Sequence, residues 1–170
     1  MKKLMLAVFL LGSTMHAYSL QPGESVPDIS LQATSGENLS LTDFSDAWVV
    51  LYFYPRSFTP GCTAQSCSLR DEFGELEDRG AVILGASLDS HERQVRFKEE
   101  HQLPFELLSD TDRELARAFD SLMRGGLMAQ RKTFIIAPGG TVAYRFDSPQ
   151  TSGHADEVID KLDELMSERM

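Results

Sequence analysis

Cys62 and Cys67 are the only thiols among 170 residues. The segment Pro55-Arg56-Ser57-Phe58-Thr59-Pro60-Gly61-Cys62-Thr63 joins a continuously apolar run to a stretch of helical composition. It sets Cys62 in the first turn of the expected helix, among backbone N–H groups without intrahelical partners and at the positive end of the macrodipole. Both favour thiolate over thiol and lower the cysteine pKa. A thiolate is a nucleophile, which a buried neutral thiol is not. Thr59 lies three residues before Cys62, close enough for its hydroxyl to hydrogen-bond the sulfur or a bound substrate. On position alone, a small core cysteine after a Pro-Gly turn is an equally good reading. Two cysteines allow neither a disulfide framework nor a four-cysteine zinc site. His91, His101 and His154 show no metal-ligand spacing and read as surface or packing residues.

Pro55, Thr59 and Cys62 fit the pattern Pro-x-x-x-Thr-x-x-Cys, which resembles the active-site motif of the peroxiredoxins. The longer string Tyr52-Phe53-Tyr54-Pro55, Thr59-Pro60-Gly61-Cys62-Thr63 and Cys67 resembles the bacterioferritin-comigratory, or Q-type, subfamily. Further similarity lies in Leu103-Pro104-Phe105, Leu107-Leu108-Ser109-Asp110, Arg131, Thr133-Phe134-Ile135-Ile136 and Gly153-His154-Ala155, in family order. The resemblance implies that Cys62 is the peroxidatic cysteine, attacking the O–O bond of hydrogen peroxide or an alkyl hydroperoxide to give a sulfenic acid. Thr59, the Cys62 N–H and Arg131 would hold the peroxide oxygens, and Pro55 would shape and shield the loop. An always-charged guanidinium suits that task, because negative charge grows on the leaving oxygen. By position alone Arg131 reads as a surface arginine at a strand start.

The same resemblance makes Cys67 the resolving cysteine, forming a Cys62–Cys67 disulfide that thioredoxin or a thioredoxin-like reductant would recycle. It implies no tightly bound cofactor and a monomer. Five residues along an ideal helix are a rise of about 7.5 Å and a rotation of about 140°. The α-carbons then stand roughly 8.6 Å apart, beyond the ~7 Å limit for a disulfide. Oxidation must therefore unwind part of the helix around Gly61–Ser66. The competing reading is a thioredoxin-like thiol–disulfide oxidoreductase acting on other proteins. That chemistry uses Cys-x-x-Cys, whereas four residues intervene here. A permanent structural disulfide would close a very small loop, contributing about 2 kcal/mol. Two differences from the family pattern stand out. Ser57-Phe58 makes the pocket entrance more apolar, pointing to organic hydroperoxides, and Ser121–Ala129 lacks an expected aromatic residue.

These residues need a scaffold, and the hydropathy pattern supplies one. Val26–Gln32 alternates like an edge strand, and Thr42–Asp46 suits one helical turn. Trp48–Tyr54 is apolar throughout, as a strand buried on both faces is. Gly61–Leu76 has helical composition, with Leu69, Phe73 and Leu76 spaced for one face. Ala81–Leu88 reads as a second buried strand. Asp89 reads as an N-cap paired with Glu92, opening a helix to about His101. Pro104–Leu108 suits a short strand, and Thr111–Glu114 a capping box for a helix to Phe119. Lys132–Ala137 and Thr141–Phe146 flank a Pro-Gly-Gly turn as a hairpin. Asp156–Glu168 closes the chain as an amphipathic helix. Alternation of strands and helices predicts an α/β fold with a central mixed sheet flanked by helices, the order that a thioredoxin-like fold requires.

Composition narrows the rest. The net charge of −10 disfavours general nucleic-acid binding, which needs basic patches. Met1–Ser19 reads as a signal peptide: Lys2 and Lys3, an apolar run Leu4–Leu11, and Ala17-Tyr18-Ser19 for cleavage. The run is too short to span a bilayer. Residues 20–170 would then form one exported domain without membrane attachment, in an oxidising compartment such as a periplasm.

Overall fold

The computed structural model describes residues 20–169; the expected signal peptide, 1–19, lies outside the described residues. Seven strands form one sheet: β1 Leu31–Ala33, β2 Asn38–Leu39, β3 Trp48–Phe53, β4 Ala81–Ser87, β5 Glu106–Ser109, β6 Lys132–Ala137 and β7 Thr141–Phe146. Their order is β2-β1-β5-β4-β3-β6-β7. The three central strands β5, β4 and β3 are parallel, and the pairs at both edges are antiparallel. The mixed α/β sheet expected from the sequence is therefore present.

The helices are α1 Pro60–Asp71, α2 Phe73–Asp78, α3 His91–Glu100, α4 Glu114–Ala118 and α5 His154–Ser167, with a 3-10 turn at Leu41–Phe44. All six residues of β3 are buried, and strand alternation divides them between two layers. Val50 and Tyr52 join Leu69, Leu76, Phe97, Val158 and Leu162 from α1, α2, α3 and α5. Val49, Leu51 and Phe53 join Leu41, Leu115 and Phe119 on the opposite face. A continuous apolar run is what a strand between two covered faces needs.

Four expectations change. The regular strand near the amino terminus is only Leu31–Ala33, and it pairs on both sides; β2, not β1, is the edge. Pro27 has no N–H to give a ladder, and of the alternating residues Val26–Gln32 the regular strand takes up Leu31 and Gln32 alone. The expected helix Gly61–Leu76 breaks at Glu72 (φ −104°, ψ 19°) into α1 and α2. Asp89 does not cap α3; Ser90 does, accepting the Arg93 N–H. The capping box at Thr111–Glu114 is not formed. The buried Asp110 carboxylate instead accepts the Leu115 and Ala116 N–H groups at 3.1 and 2.7 Å.

Candidate active site

The loop after β3 turns at Pro55 and enters α1 through Thr59, its N-cap, and Pro60. Proline suits a first helical position because its missing N–H has no partner there anyway. The Thr63 N–H makes the first intrahelical bond, to the Thr59 carbonyl at 2.9 Å. Thr59 gives no side-chain cap, so the N–H groups of Gly61 and Cys62 stay available at the positive end of α1. The Thr59 hydroxyl donates to the Arg56 carbonyl at 2.9 Å, not to the sulfur. Its remaining lone pairs are free to accept.

Cys62 is 1% exposed. Arg131, immediately before β6, crosses to α1 and donates from Nη2 to Cys62 Sγ at 3.4 Å. Its Nη1 donates to Gln65 Oε1. Arg131 and Cys62 are 69 residues apart in sequence. The antiparallel pairing of β3 with β6, in which Phe53 faces Lys132, brings both to one end of the sheet. Gly61 makes room for this crossing: a Cβ there would stand 3.2 Å from Arg131 Nη2.

Beneath the sulfur, Ser66 Oγ and Tyr52 Oη share a 2.9 Å hydrogen bond. Tyr52 is fully buried, and burial pushes its phenol well above the ordinary range. Its ring lies over Gly85 of β4, where a Cβ would meet the Tyr52 Cζ and Oη at 2.8 Å. Cys67 is half-buried farther along α1, and both cysteines are free thiols.

Asp89 braces the loop. Its Oδ2 accepts the Ser57 N–H at 2.7 Å and the Ser87 hydroxyl at 3.1 Å. Arg93 donates from Nη2 to the Ser57 carbonyl at 2.7 Å and pairs with Asp89. Phe58 takes a left-handed backbone (φ 68°) and turns inward. Its ring packs edge-on against Phe97, with centroids 5.2 Å apart, and Arg93 and Arg96 lie over it. The expected contribution of Phe58 to an apolar entrance is thus corrected. The exposed apolar side chains at this end are Leu127 and Met128. With Pro55, Arg56, Leu88 and Asp89 they line a cleft of about 270 Å³. A larger cavity of about 540 Å³ lies at the amino ends of β4 and β5, the wrong end of a parallel sheet for a ligand.

The family model for the AhpC/TSA family matches residues 22–145. Two curated relatives are the Bcp peroxiredoxins of Escherichia coli K12, 39% identical, and Bacillus subtilis 168, 36% identical. The similarity covers 85% and 86% of this chain and 97% and 98% of theirs. This chain is a Q-type peroxiredoxin of the AhpC/TSA family. Among solved structures, a cysteine-to-serine mutant of PrxQ from Xylella fastidiosa superposes with a TM-score of 0.81 at 28% identity. It covers 85% of this chain and 96% of that one. BcpB from Mycobacterium tuberculosis gives 0.79 at 31%, covering 85% and 97%. The thioredoxin-like fold of this peroxiredoxin follows from these neighbours as well as from its sheet.

The geometry brings Pro55, Thr59, Cys62 and Arg131 to one place and leaves Cys67 in the same intact helix. Sequence reasoning missed Gln65, although its position three residues after Cys62 puts both on one helix face. It also missed Asp89 as a brace and the Tyr52–Ser66 pair. No short-range pattern carries those two, since each joins a strand or loop to a distant partner. His154 is fully buried at the start of α5 between Thr133 and Glu157, a packing residue. Arg70 pairs with Asp71 and also donates to the His101 carbonyl at 2.8 Å.

Proposed function

We propose that this thiol-dependent peroxidase uses Cys62 as the peroxidatic nucleophile toward hydrogen peroxide and organic hydroperoxides. The observation that carries the reading is the Arg131 guanidinium donating to Cys62 Sγ at 3.4 Å at a helix N-terminus. A fixed cation beside the sulfur stays in place as charge passes to the leaving oxygen. The Cys62 and Gly61 N–H groups and the Thr59 hydroxyl complete a polar cradle that suits a peroxide O–O pair. The thiolate attacks one oxygen and the O–O bond breaks. The second oxygen leaves with a proton as water or an alcohol, and Cys62 becomes a sulfenic acid.

Cys67 then displaces the sulfenic oxygen as water and forms the Cys62–Cys67 disulfide. Both cysteines lie in the twelve-residue α1, so this step requires the helix to open. A dithiol donor, thioredoxin or a thioredoxin-like protein, returns both thiols. The enzyme works as a monomer. The signal-like residues Met1–Ser19 support export to a periplasm, where the donor is a periplasmic thioredoxin-like protein. Intact-mass analysis of the protein recovered from periplasmic and cytoplasmic fractions tests that assignment; a full-length cytoplasmic product contradicts it.

Peroxide consumption with excess dithiothreitol, measured for wild type, Cys62→Ser and Cys67→Ser, tests the cycle. Cys62→Ser is expected to be inert, and Cys67→Ser to retain at least one turnover. Peroxide consumption by Cys62→Ser at the wild-type rate would overturn the assignment. Reduction of insulin disulfides without peroxidase activity would replace it with a protein thiol–disulfide oxidoreductase.

A further inference from the structure

Both sequence neighbours of Cys67 are serines, and each hydroxyl is tied to a different part of the fold. Ser66, fully buried, bonds the Tyr52 hydroxyl on β3 at 2.9 Å. Ser68 accepts the Ala155 N–H from the first turn of α5 at 3.0 Å. The first bond fixes the helix to the sheet floor, and the second fixes it to the neighbouring helix. Cys67, half-buried between them, is held at its helical distance from Cys62.

We infer that the Tyr52–Ser66 and Ser68–Ala155 hydrogen bonds are positioning latches that set how long the Cys62 sulfenic acid survives before Cys67 reaches it. The inference deepens the peroxidase reading and rests on it. Disulfide formation consumes the sulfenic acid and the Cys67 thiol and releases one water. A second peroxide competes: it oxidises the same sulfenic acid to a sulfinic acid and leaves as water or alcohol. Releasing a latch does not change the Arg131–Cys62 contact, so it leaves the attack on the first peroxide alone. It changes the partition that follows.

Helix propensity makes the two explanations differ in sign. Alanine favours a helix interior more than serine does, so if Ser68 had only a local helical role, Ser68→Ala would stiffen α1 and slow disulfide formation. The latch predicts the reverse. Tyr52→Phe leaves the α1 sequence untouched and removes the other tether. Loss of one net hydrogen bond corresponds to about a fivefold change.

The test follows the reduced mature protein after one equivalent of hydrogen peroxide. Sulfenic acid is trapped with dimedone at timed intervals, disulfide is read by intact mass, and sulfinic acid is quantified over a peroxide series. Tyr52→Phe and Ser68→Ala are each expected to shorten the sulfenate lifetime about fivefold and to require proportionally more peroxide for sulfinate. The rate of the first oxidation stays at the wild-type value. Ser68→Thr, which keeps the hydroxyl, restores the wild-type lifetime. A sulfenate lifetime that is unchanged or longer in the folded variants overturns the latches. Absence of both sulfenate and disulfide in wild type overturns the peroxidase reading instead.

Discussion

Arg131 makes two contacts that need a forked, planar cation: one nitrogen on Cys62 Sγ and the other on Gln65 Oε1. Lysine offers a point charge and cannot hold both partners at once. Arg131→Lys is therefore expected to keep the fold and lower kcat/KM about 10²-fold, the scale found when one preorganised donor to developing charge is lost. Stopped-flow peroxide kinetics beside a circular dichroism spectrum check it. Gly61→Ala probes the same crossing from the helix. Its Cβ at 3.2 Å from Arg131 Nη2 must displace the guanidinium by a few tenths of an ångström. Stability should hold or rise, because alanine restricts the unfolded chain more than glycine does, while activity falls. Loss of both together would show that Gly61 matters for folding instead. Cys62, Thr59 and Pro55 were legible in the sequence because their spacing resembles a known motif, and Arg131 because it precedes a second family-like stretch, Thr133-Phe134-Ile135-Ile136. Asp89 was misread because Asp89 and Ser90 are both good caps; only the structure shows the carboxylate turned back to the Ser57 N–H. The direction of the Thr59 hydroxyl was equally hidden, since the Arg56 carbonyl competes for it.

Strands β3 and β4 form a floor whose thickness is set at one contact. Tyr52 and Gly85 are register partners, and a Cβ at Gly85 would lie 2.6 Å from Leu107 Cδ2 and 2.8 Å from the Tyr52 ring. Gly85→Ala is an overpacking change in a central strand, expected to cost about 1–3 kcal/mol by urea unfolding. It should also displace the Tyr52 hydroxyl below α1. The strands and hairpin were readable because buried parallel strands are continuously apolar and the Pro-Gly-Gly turn is specific. The helix starts were less readable, because α4 is organised by the Asp110 carboxylate, just ahead of the expected Thr111–Glu114 box, and by an Arg113 with φ 64° rather than by its own first residues. For α1 the redox cycle makes a direct prediction. Amide exchange over residues 63–67, whose N–H groups follow the first intrahelical bond at Thr63, should be slow in the reduced protein and fast in the disulfide form. Equal protection in the two states would exclude helix opening.

At the scale of the whole molecule, His154 links α5 to the sheet and makes that link sensitive to acid. Glu157 accepts one ring nitrogen's proton, leaving the other to accept from Thr133. Burial lowers its proton affinity, partly opposed by Glu157 and reinforced by Arg131. The unfolded chain then takes up the proton more readily than the folded one. Stability is complete above the ordinary histidine value of 6.5 and is lost as pH falls below it. Urea midpoints between pH 8 and pH 5 should decline for wild type and decline less for His154→Gln; parallel curves would assign the acid sensitivity elsewhere. On the proposed cycle α1 opens at each turnover, and the kink at Glu72 sets a limit to the spread of that opening. Leu76, in α2 beyond it, is seated in the same apolar layer as Leu69, yet it belongs to a separate helix. Fraying that starts at Pro60 can follow the α1 ladder only as far as the Glu72 N–H, which bonds the Ser68 carbonyl at 3.3 Å. The protein can thus cycle its redox chemistry through one expendable dozen of residues while the hydrophobic layer underneath keeps its shape.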